Sequence, residues 1–123
     1  MDPIREFIRA FNEQDLDALA AVLDPEVEIH SGRGLRKGID AARAWATRTS
    51  GGAQQTVVLE ELYEEPDKAA ALIKRLWHWE EDGSLAREEE MAWLFELRDR
   101  RIRSWRPFED RDEALREAGF LAG

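Results

Sequence analysis

The chain contains no cysteine and few residues of several other reactive kinds. Without cysteine among its 123 residues, it can form neither a disulfide nor a thiolate metal site, and it has no cysteine nucleophile. Its two histidines lie far apart, with no His-x-His motif and no carboxylate at matching spacing, so we expect no metal. Gly32, Gly34 and Gly38 lack the Lys-Ser/Thr of a phosphate-binding loop. We therefore expect no cofactor.

Long apolar runs and a basic surface are also missing. No apolar run approaches the length of a membrane span, and no signal peptide follows Met1. The formal net charge of -9 argues against a nucleic-acid partner, because phosphate binding needs a basic face. The basic exception is a group of arginines within residues 98–106, which we interpret as a hairpin turn and a solvated strand face. We expect a cytoplasmic protein that binds neither nucleic acid nor a membrane.

What is present begins with helical periodicity near the N-terminus. Asp2-Pro3 is a favourable helix start, and the apolar positions that follow share one helix face: Ile4, Phe7, Ile8, Phe11. Asp15 can cap a second helix, which Asp24-Pro25 is predicted to end. From Glu26 the apolar period changes to two, which predicts a strand that ends beside a loop at Ser31-Gly32-Arg33-Gly34.

The rest of the chain predicts one more helix, four strands and a closing helix. We place these elements at Ile39–Thr49, stopped by Ser50-Gly51-Gly52, then at Thr56–Tyr63, Ala69–Trp79, Leu85–Leu97, Arg101–Phe108 and Asp110–Ala118. The length is that of one domain covering residues 1–123. Helices followed by an antiparallel meander indicate an α+β fold, in which a strongly curved sheet wraps around helices.

Three segments resemble a known family. They are QDLDALAAVLDPEVEIHS, MAWLFELRDRRIRSWRPFED and EALREAGF. Over essentially its whole length the chain resembles SnoaL-like and ketosteroid-isomerase-like members of the nuclear transport factor 2 (NTF2) superfamily. The resemblance implies an NTF2-like cone: a curved antiparallel (mixed) sheet around three N-terminal helices, with a short C-terminal helix. It also implies a homodimer through the sheet, and it leaves the activity open because the superfamily includes enzymes and non-catalytic binders.

Ketosteroid isomerases offer a residue-by-residue test of that resemblance. They use a base carboxylate at the end of the first strand, with a tyrosine and a protonated aspartic acid as oxyanion donors. The resemblance places these positions at Ser31, Phe7 and Trp93, and none of the three has the required group. This argues against ketosteroid isomerisation. A shift of one residue brings His30 to the base position, so His30 is the candidate catalytic residue; the alternative is a strand-end histidine that faces solvent or a loop.

The same resemblance directs a set of side chains into the interior. These candidate ligand-binding residues are Phe7, Phe11, Ser31, Trp45, Met91, Trp93, Phe95 and Trp105. Five tryptophans in so small a protein favour an aromatic-lined cavity for a small apolar molecule. The alternative is that the aromatic side chains fill a core and leave no cavity.

Two further positions are left open by the residues alone. His78 alternates with Trp77 and Trp79, and either face of that strand can be the inner one. Arg75 is expected to pair with Glu88 or Glu90 across neighbouring strands. Such a pair is either a buried acid–base site, similar in kind to that of related epoxide hydrolases, or an ion pair on an exposed face.

Three functional hypotheses follow. The first is a cofactor-independent enzyme of the isomerase, cyclase or hydrolase type, which transfers a proton on an apolar substrate with His30 as base. The second is a non-catalytic protein that binds an apolar ligand, and the third is a dimeric interaction module. We favour a SnoaL-like protein that acts on or binds a small apolar molecule, with its activity left open.

Overall fold

The structure is a computed structural model that describes residues 2–31, 34–47 and 52–121. These residues form four helices: α1 (Pro3–Glu13), α2 (Leu16–Ala21), α3 (Ile39–Ala46) and α4 (Arg111–Glu117). Asp2, Asp15 and Asp110 cap α1, α2 and α4, because each carboxylate accepts hydrogen bonds from free amides of the first turn. No helix among the described residues has the length and apolar character needed to cross a membrane.

Six strands form one sheet in the described part of the chain. They are β1 (Leu23–Ser31), β2 (Gly34–Lys37), β3 (Ala53–Glu65), β4 (Lys68–Trp79), β5 (Leu85–Arg98) and β6 (Arg101–Phe108). Their order across the sheet is β2-β1-β6-β5-β4-β3. Neighbouring strands are antiparallel, except that β1 and β6 are parallel. The predicted α+β class and the meander of β3 to β6 are confirmed.

Two predicted boundaries near the N-terminus are wrong. Asp24-Pro25 does not end α2 but lies inside β1. The register between β1 and β6 shifts over this stretch, and such an irregularity accommodates a proline, which cannot donate to a regular ladder. A strand that was not predicted, β2, begins at Gly34 of the segment predicted as a loop and pairs with β1. The predicted end of α3 at Thr49 lies outside the described residues, as do Ser50 and Gly51 of its predicted stop.

Both faces of the sheet carry apolar side chains. The inner face packs against α1 and α3 through alternate residues of β4 and β5: Ala69, Ala71, Ile73, Met91, Trp93 and Phe95. The outer face carries the other alternate residues, which pack with Ala114 and Leu115 of α4: Ala70, Leu72, Ala92 and Leu94. The chain thus covers part of its own outer face with its last helix.

Two polar side chains fasten helices to the sheet. Asn12 of α1 accepts a hydrogen bond from the Val57 amide and donates one to the Val57 carbonyl, both at 2.8 Å. Arg111 of α4 donates to the carbonyl oxygens of Ile73, at 2.7 Å, and Met91, at 3.3 Å. The Asn12 contacts hold α1 over the inner face, where its phenylalanines meet the sheet, and the Arg111 contacts hold α4 against the outer face.

Candidate functional site

An aromatic cluster occupies the space between the helices and the inner face. It consists of Phe7, Phe11, Trp45, Trp93, Phe95 and Trp105, all buried. The Trp45 ring lies 5.2 Å from Phe11 and 4.3 Å from Trp105 between centroids. Trp93 meets Phe11 edge-on at 5.5 Å. Because these rings touch one another, they fill the space that they enclose.

Two indole N–H groups of the aromatic cluster lack an acceptor. The Nε1 atoms of Trp93 and Trp105 are buried and make no hydrogen bond to any described residue. The two side chains are 0% and 2% exposed. A buried donor without a partner costs about 1–3 kcal/mol in desolvation, and tryptophan is normally placed where its N–H finds an acceptor. These two groups can therefore donate to an acceptor that enters the cluster.

Of the three other predicted site residues, one lies in the same core and two lie at the end of β1. Met91 is buried in the same core, next to Trp93 along the inner face of β5. Ser31 ends β1, where its hydroxyl donates to the Gly34 carbonyl at 3.4 Å. His30 alternates with the core residue Ile29 and points to the opposite side of β1. Its Nε2 lies 3.4 Å from a carboxylate oxygen of Glu28, so the structure does not bring His30 to the aromatic cluster.

A second group of side chains, which we call the hairpin cluster, lies on β4 and β5: Arg75, Trp77, Arg87 and Glu89. The Oε1 atom of Glu89 accepts hydrogen bonds from Arg75 Nε at 3.0 Å and from Trp77 Nε1 at 2.9 Å. Arg87 Nη2 lies 3.5 Å from the same oxygen. The two guanidinium groups lie 5.3 and 5.4 Å from the Trp77 ring centroid, as in cation–π contacts.

The environment of Glu89 keeps it ionised. Partial burial by itself raises the pKa of this carboxyl, but the hydrogen bond from Trp77 and the charge and hydrogen bond of Arg75 outweigh burial. The net pKa lies below the ordinary value. Glu89 is consequently a bound anion at neutral pH, and its Oε1 is already used by donors of the protein itself.

The sequence of the chain can now be placed among known proteins. Residues 4–105 match the sequence model of the SnoaL-like domain. The chain belongs to the SnoaL-like domain family. Comparison of this SnoaL-like domain with curated proteins gives no significant match.

Solved structures share the fold of this SnoaL-like domain. A protein with a ketosteroid isomerase-like fold from Catenulispora acidiphila, in complex with trimethylamine, has a TM-score of 0.74 at 16% identity, covering 98% of this chain and 94% of that chain. An LEH-like epoxide hydrolase of M. tuberculosis has a TM-score of 0.72 at 18% identity, covering 93% of this chain and 84% of that chain. An NTF2-like protein of unknown function from Cytophaga hutchinsonii has a TM-score of 0.69 at 18% identity, covering 96% of this chain and 92% of that chain. At such low identity these likenesses show the NTF2-like fold alone.

The three positions that the resemblance compares with ketosteroid isomerases lie on α1, β1 and β5 of this SnoaL-like domain. Phe7 of α1 and Trp93 of β5 belong to one cluster, with ring centroids 6.1 Å apart, and Ser31 ends β1. Phenylalanine has no hydroxyl to donate, and serine has no carboxylate to take a proton. At these positions the chain lacks the groups that ketosteroid isomerases use.

The expected pairing of Arg75 is wrong by one residue, for a reason that the backbone supplies. Trp79 lies opposite Ser84 at the turn, and an unbroken register from there would place Arg75 opposite Glu88. A bulge at Ala86 shifts the strands, so that Arg75 faces Glu89. The same side of β4 carries buried Trp77, which places His78 on the outer side with its Nδ1 3.2 Å from the Gly83 carbonyl. In the sequence, the hairpin cluster was indicated only by the three consecutive glutamates at residues 88–90 and by the alternation of residues along β4.

Proposed function

We propose that this SnoaL-like domain takes up a small, flat, apolar molecule among the side chains of the aromatic cluster, either to bind it or to act on it. In the proposal, Trp93 and Trp105 donate hydrogen bonds to a carbonyl oxygen of that molecule. Met91 and Ser31 complete the contacts, at the β5 side of the cluster and at the end of β1. The proposal treats residues 1–123 as one domain.

The observation that carries the proposal is the pair of buried indole N–H groups without an acceptor. An apolar molecule with one acceptor would satisfy a donor that otherwise remains unpaired, and it would bury its rings against aromatic faces. Since the rings touch one another in the structure, at centroid distances from 4.3 to 6.5 Å, some must move apart as the ligand enters. Association that waits for such a movement is slower than simple encounter.

The test uses two probes that differ in one acceptor: naphthyl methyl ketone and ethylnaphthalene. Native mass spectrometry of freshly purified protein first shows whether a ligand is already bound. Titrations followed through the indole N–H signals in NMR spectra then give the affinity of each probe. We expect the ketone to bind about tenfold more tightly, because a hydrogen bond to a buried donor is worth about 1 kcal/mol or more.

The variants Trp93→Phe and Trp105→Phe separate the hydrogen bond from general apolar binding. Each should reduce the preference for the ketone while ethylnaphthalene still binds. Trp79→Phe, at an exposed position of β4, is the matched control and should leave the preference unchanged. Equal binding of both probes to the unmodified protein would contradict the proposal.

Catalysis by His30 remains a separate prediction. Its half-exposed ring contacts Glu28 rather than the aromatic cluster, so the proposed binding does not depend on it. His30→Gln should therefore leave the affinity for the ketone unchanged. If turnover of a ligand is found, loss of that turnover in His30→Gln, with affinity preserved, would support the role as a base.

We also propose the homodimer that the resemblance implies. α4 covers Ala70, Leu72, Ala92 and Leu94, so a dimer through the sheet has to use the part of the outer face that α4 leaves open. Val58 lies on β3, an edge strand of the sheet, and is 49% exposed. Light scattering over a concentration series is the test, and a monomer at every concentration would contradict the homodimer.

A further inference from the structure

A cavity on the β4–β5 hairpin is separate from the aromatic cluster. It has a volume of about 210 Å³ and is lined by Ala53, Trp77, Trp79, Ala86 and Arg87. Ala53 faces Trp79 across β3 and β4, and Arg87 faces Trp77 across β4 and β5. Ala86 is the bulged residue. Small alanines thus stand beside large indoles, which leaves a hollow with aromatic walls; we call it the hairpin cavity.

The two indoles of the hairpin cavity differ in what they offer. Trp77 is 7% exposed, and its N–H and its ring are already used by Glu89 and by two guanidinium groups. Trp79 is 44% exposed and makes no hydrogen bond or ring contact with another side chain of the described residues. An exposed indole beside a cavity provides a flat apolar surface for an aromatic ring.

The lining of the hairpin cavity carries one charge, which is positive, although the chain has a formal net charge of -9. Of the five described residues that line it, Arg87 alone is charged. The hairpin cluster holds two arginines against one carboxylate, so one positive charge is left over. Glu80, Glu81 and Asp82 lie in the turn of the same hairpin, so an anion would be held by direct contact with Arg87 and not by a positive surface.

Arg87 has donors to spare. Arg75 contacts Glu89 Oε1 through its Nε and Nη2 atoms. Arg87 Nη2 lies 3.5 Å from the same oxygen, and the Arg87 side chain makes no hydrogen bond to another described residue. Its side chain is 59% exposed and lies over the Trp77 ring. A guanidinium group held at one edge, with its other N–H groups free, matches the two oxygens of a carboxylate.

We propose that the hairpin cavity binds a small planar aromatic carboxylate. The ring of the ligand lies against Trp79, and its carboxylate accepts hydrogen bonds from Arg87. This site is additional to the proposed function, because none of its residues belongs to the aromatic cluster. Each site can therefore be present without the other.

The experiment uses naphthoate as the probe and naphthalenemethanol as its neutral counterpart. The five tryptophans give five indole N–H signals in NMR spectra, which Trp→Phe variants assign. Saturable binding of naphthoate should shift the signals of Trp77 and Trp79. The neutral alcohol should bind about tenfold more weakly, since its hydroxyl lacks the negative charge and the second oxygen that a carboxylate presents to Arg87.

Three arginine variants complete the design. Arg87→Gln should weaken naphthoate binding about tenfold, and Arg87→Lys should restore only part of it, because the charge remains but the paired N–H groups are lost. Arg36→Gln on β2 removes the same charge at an exposed position away from the hairpin and should change nothing. An unchanged melting temperature shows that Arg87→Gln is folded. Absence of saturable binding, unchanged affinity in Arg87→Gln, or shifts confined to Trp93 and Trp105 would each overturn the proposal.

Discussion

At the scale of single residues, the state of each indole N–H distinguishes tryptophans that look alike in the sequence. Trp77 donates to a carboxylate that also binds an arginine. Trp93 and Trp105 are buried without an acceptor. A hydrogen bond to a charged group stabilises a fold, while an unpaired buried donor costs free energy. The first arrangement therefore contributes to stability, and the second leaves free energy that a ligand can recover.

The substitution Trp77→Phe tests the stabilising half of that contrast. It removes the hydrogen bond to Glu89 and should lower the free energy of unfolding by about 1.5–3 kcal/mol. Trp79→Phe is the matched control: the residue lies on the same strand and is 44% exposed, so a change below about 0.5 kcal/mol is expected. Urea unfolding followed by circular dichroism measures both values. Equal losses in the two variants would contradict the role assigned to the hydrogen bond.

Asp24 gives a prediction about pH. Its carboxylate accepts a hydrogen bond from the Glu26 amide at 2.8 Å and another from Arg98 Nη2 at 3.0 Å, and both lower the pKa of Asp24. A depressed pKa means that the ionised form stabilises the fold above the ordinary value of about 3.9. This contribution is lost as the pH falls below that value.

The comparison of Asp24→Asn with the unmodified protein measures that contribution. The variant should melt at a lower temperature at pH values near neutrality, and the difference should shrink as the pH falls below about 4. Glu81→Gln, at an exposed position of the β4–β5 turn, is the control and should show no such convergence. A melting-temperature difference that stays constant down to low pH would show that the ionised carboxylate is not the cause.

At the scale of elements, one amide side chain from α1 occupies a point on the free edge of β3. The Val57 amide and carbonyl do not pair with another strand but with Asn12, which imitates a strand at that point. Unpaired backbone groups at an edge invite association with other chains, and polar side chains that occupy them prevent it. Asn12 thus joins the helix to the sheet and protects its edge.

The substitution Asn12→Ala removes both hydrogen bonds at once. At about 1 kcal/mol each, the free energy of unfolding should fall by about 2 kcal/mol. Hydrogen exchange should show faster exchange of the Val57 amide in particular, since it loses its acceptor. The exposed neighbour Glu13 provides the control, and Glu13→Ala should leave the Val57 amide protected. Unchanged protection in Asn12→Ala would contradict this account.

Elements with strong periodicity could be predicted from the sequence, and their pairing could not. β6 was predicted over Arg101–Phe108, and it has those bounds in the structure. The partner of Arg75 was missed because one bulged residue, Ala86, shifts the register, and no residue type marks such a bulge. β2 was missed because its four residues are exposed and show no alternation.

In the candidate site, too, local patterns predicted which residues face inward but not how they pack. Periodicity and the family resemblance brought six aromatic residues to the inner side, and all six lie in one buried cluster. His30, the candidate base, was not predicted to point away from this cluster, although the alternation of β1 with Ile29 facing the core requires it. Whether the rings leave a cavity is decided by their packing, which depends on the tertiary structure and not on any local pattern.

At the scale of the whole molecule, the inner side of the sheet carries two groups of aromatic residues. Helices α1 and α3 cover the aromatic cluster, whereas the hairpin of β4 and β5 extends past the last paired residue of β6 and remains accessible. The covered part offers two unpaired N–H donors in an apolar interior. The hairpin offers the exposed indole of Trp79 and the exposed guanidinium group of Arg87. A neutral ketone suits the first environment, and an aromatic carboxylate suits the second.

If the two sites are separate, their ligands stabilise the fold independently. At ten times its Kd, naphthyl methyl ketone or naphthoate alone should add about 1.4 kcal/mol, and both together about 2.8 kcal/mol. If they competed for one site, the pair would add only about 1.8 kcal/mol. For a chain of this size about 4 °C corresponds to 1 kcal/mol, so differential scanning fluorimetry should give shifts of about 6 °C singly and about 11 °C together. A combined shift near 7 °C would show that both ligands use the same space.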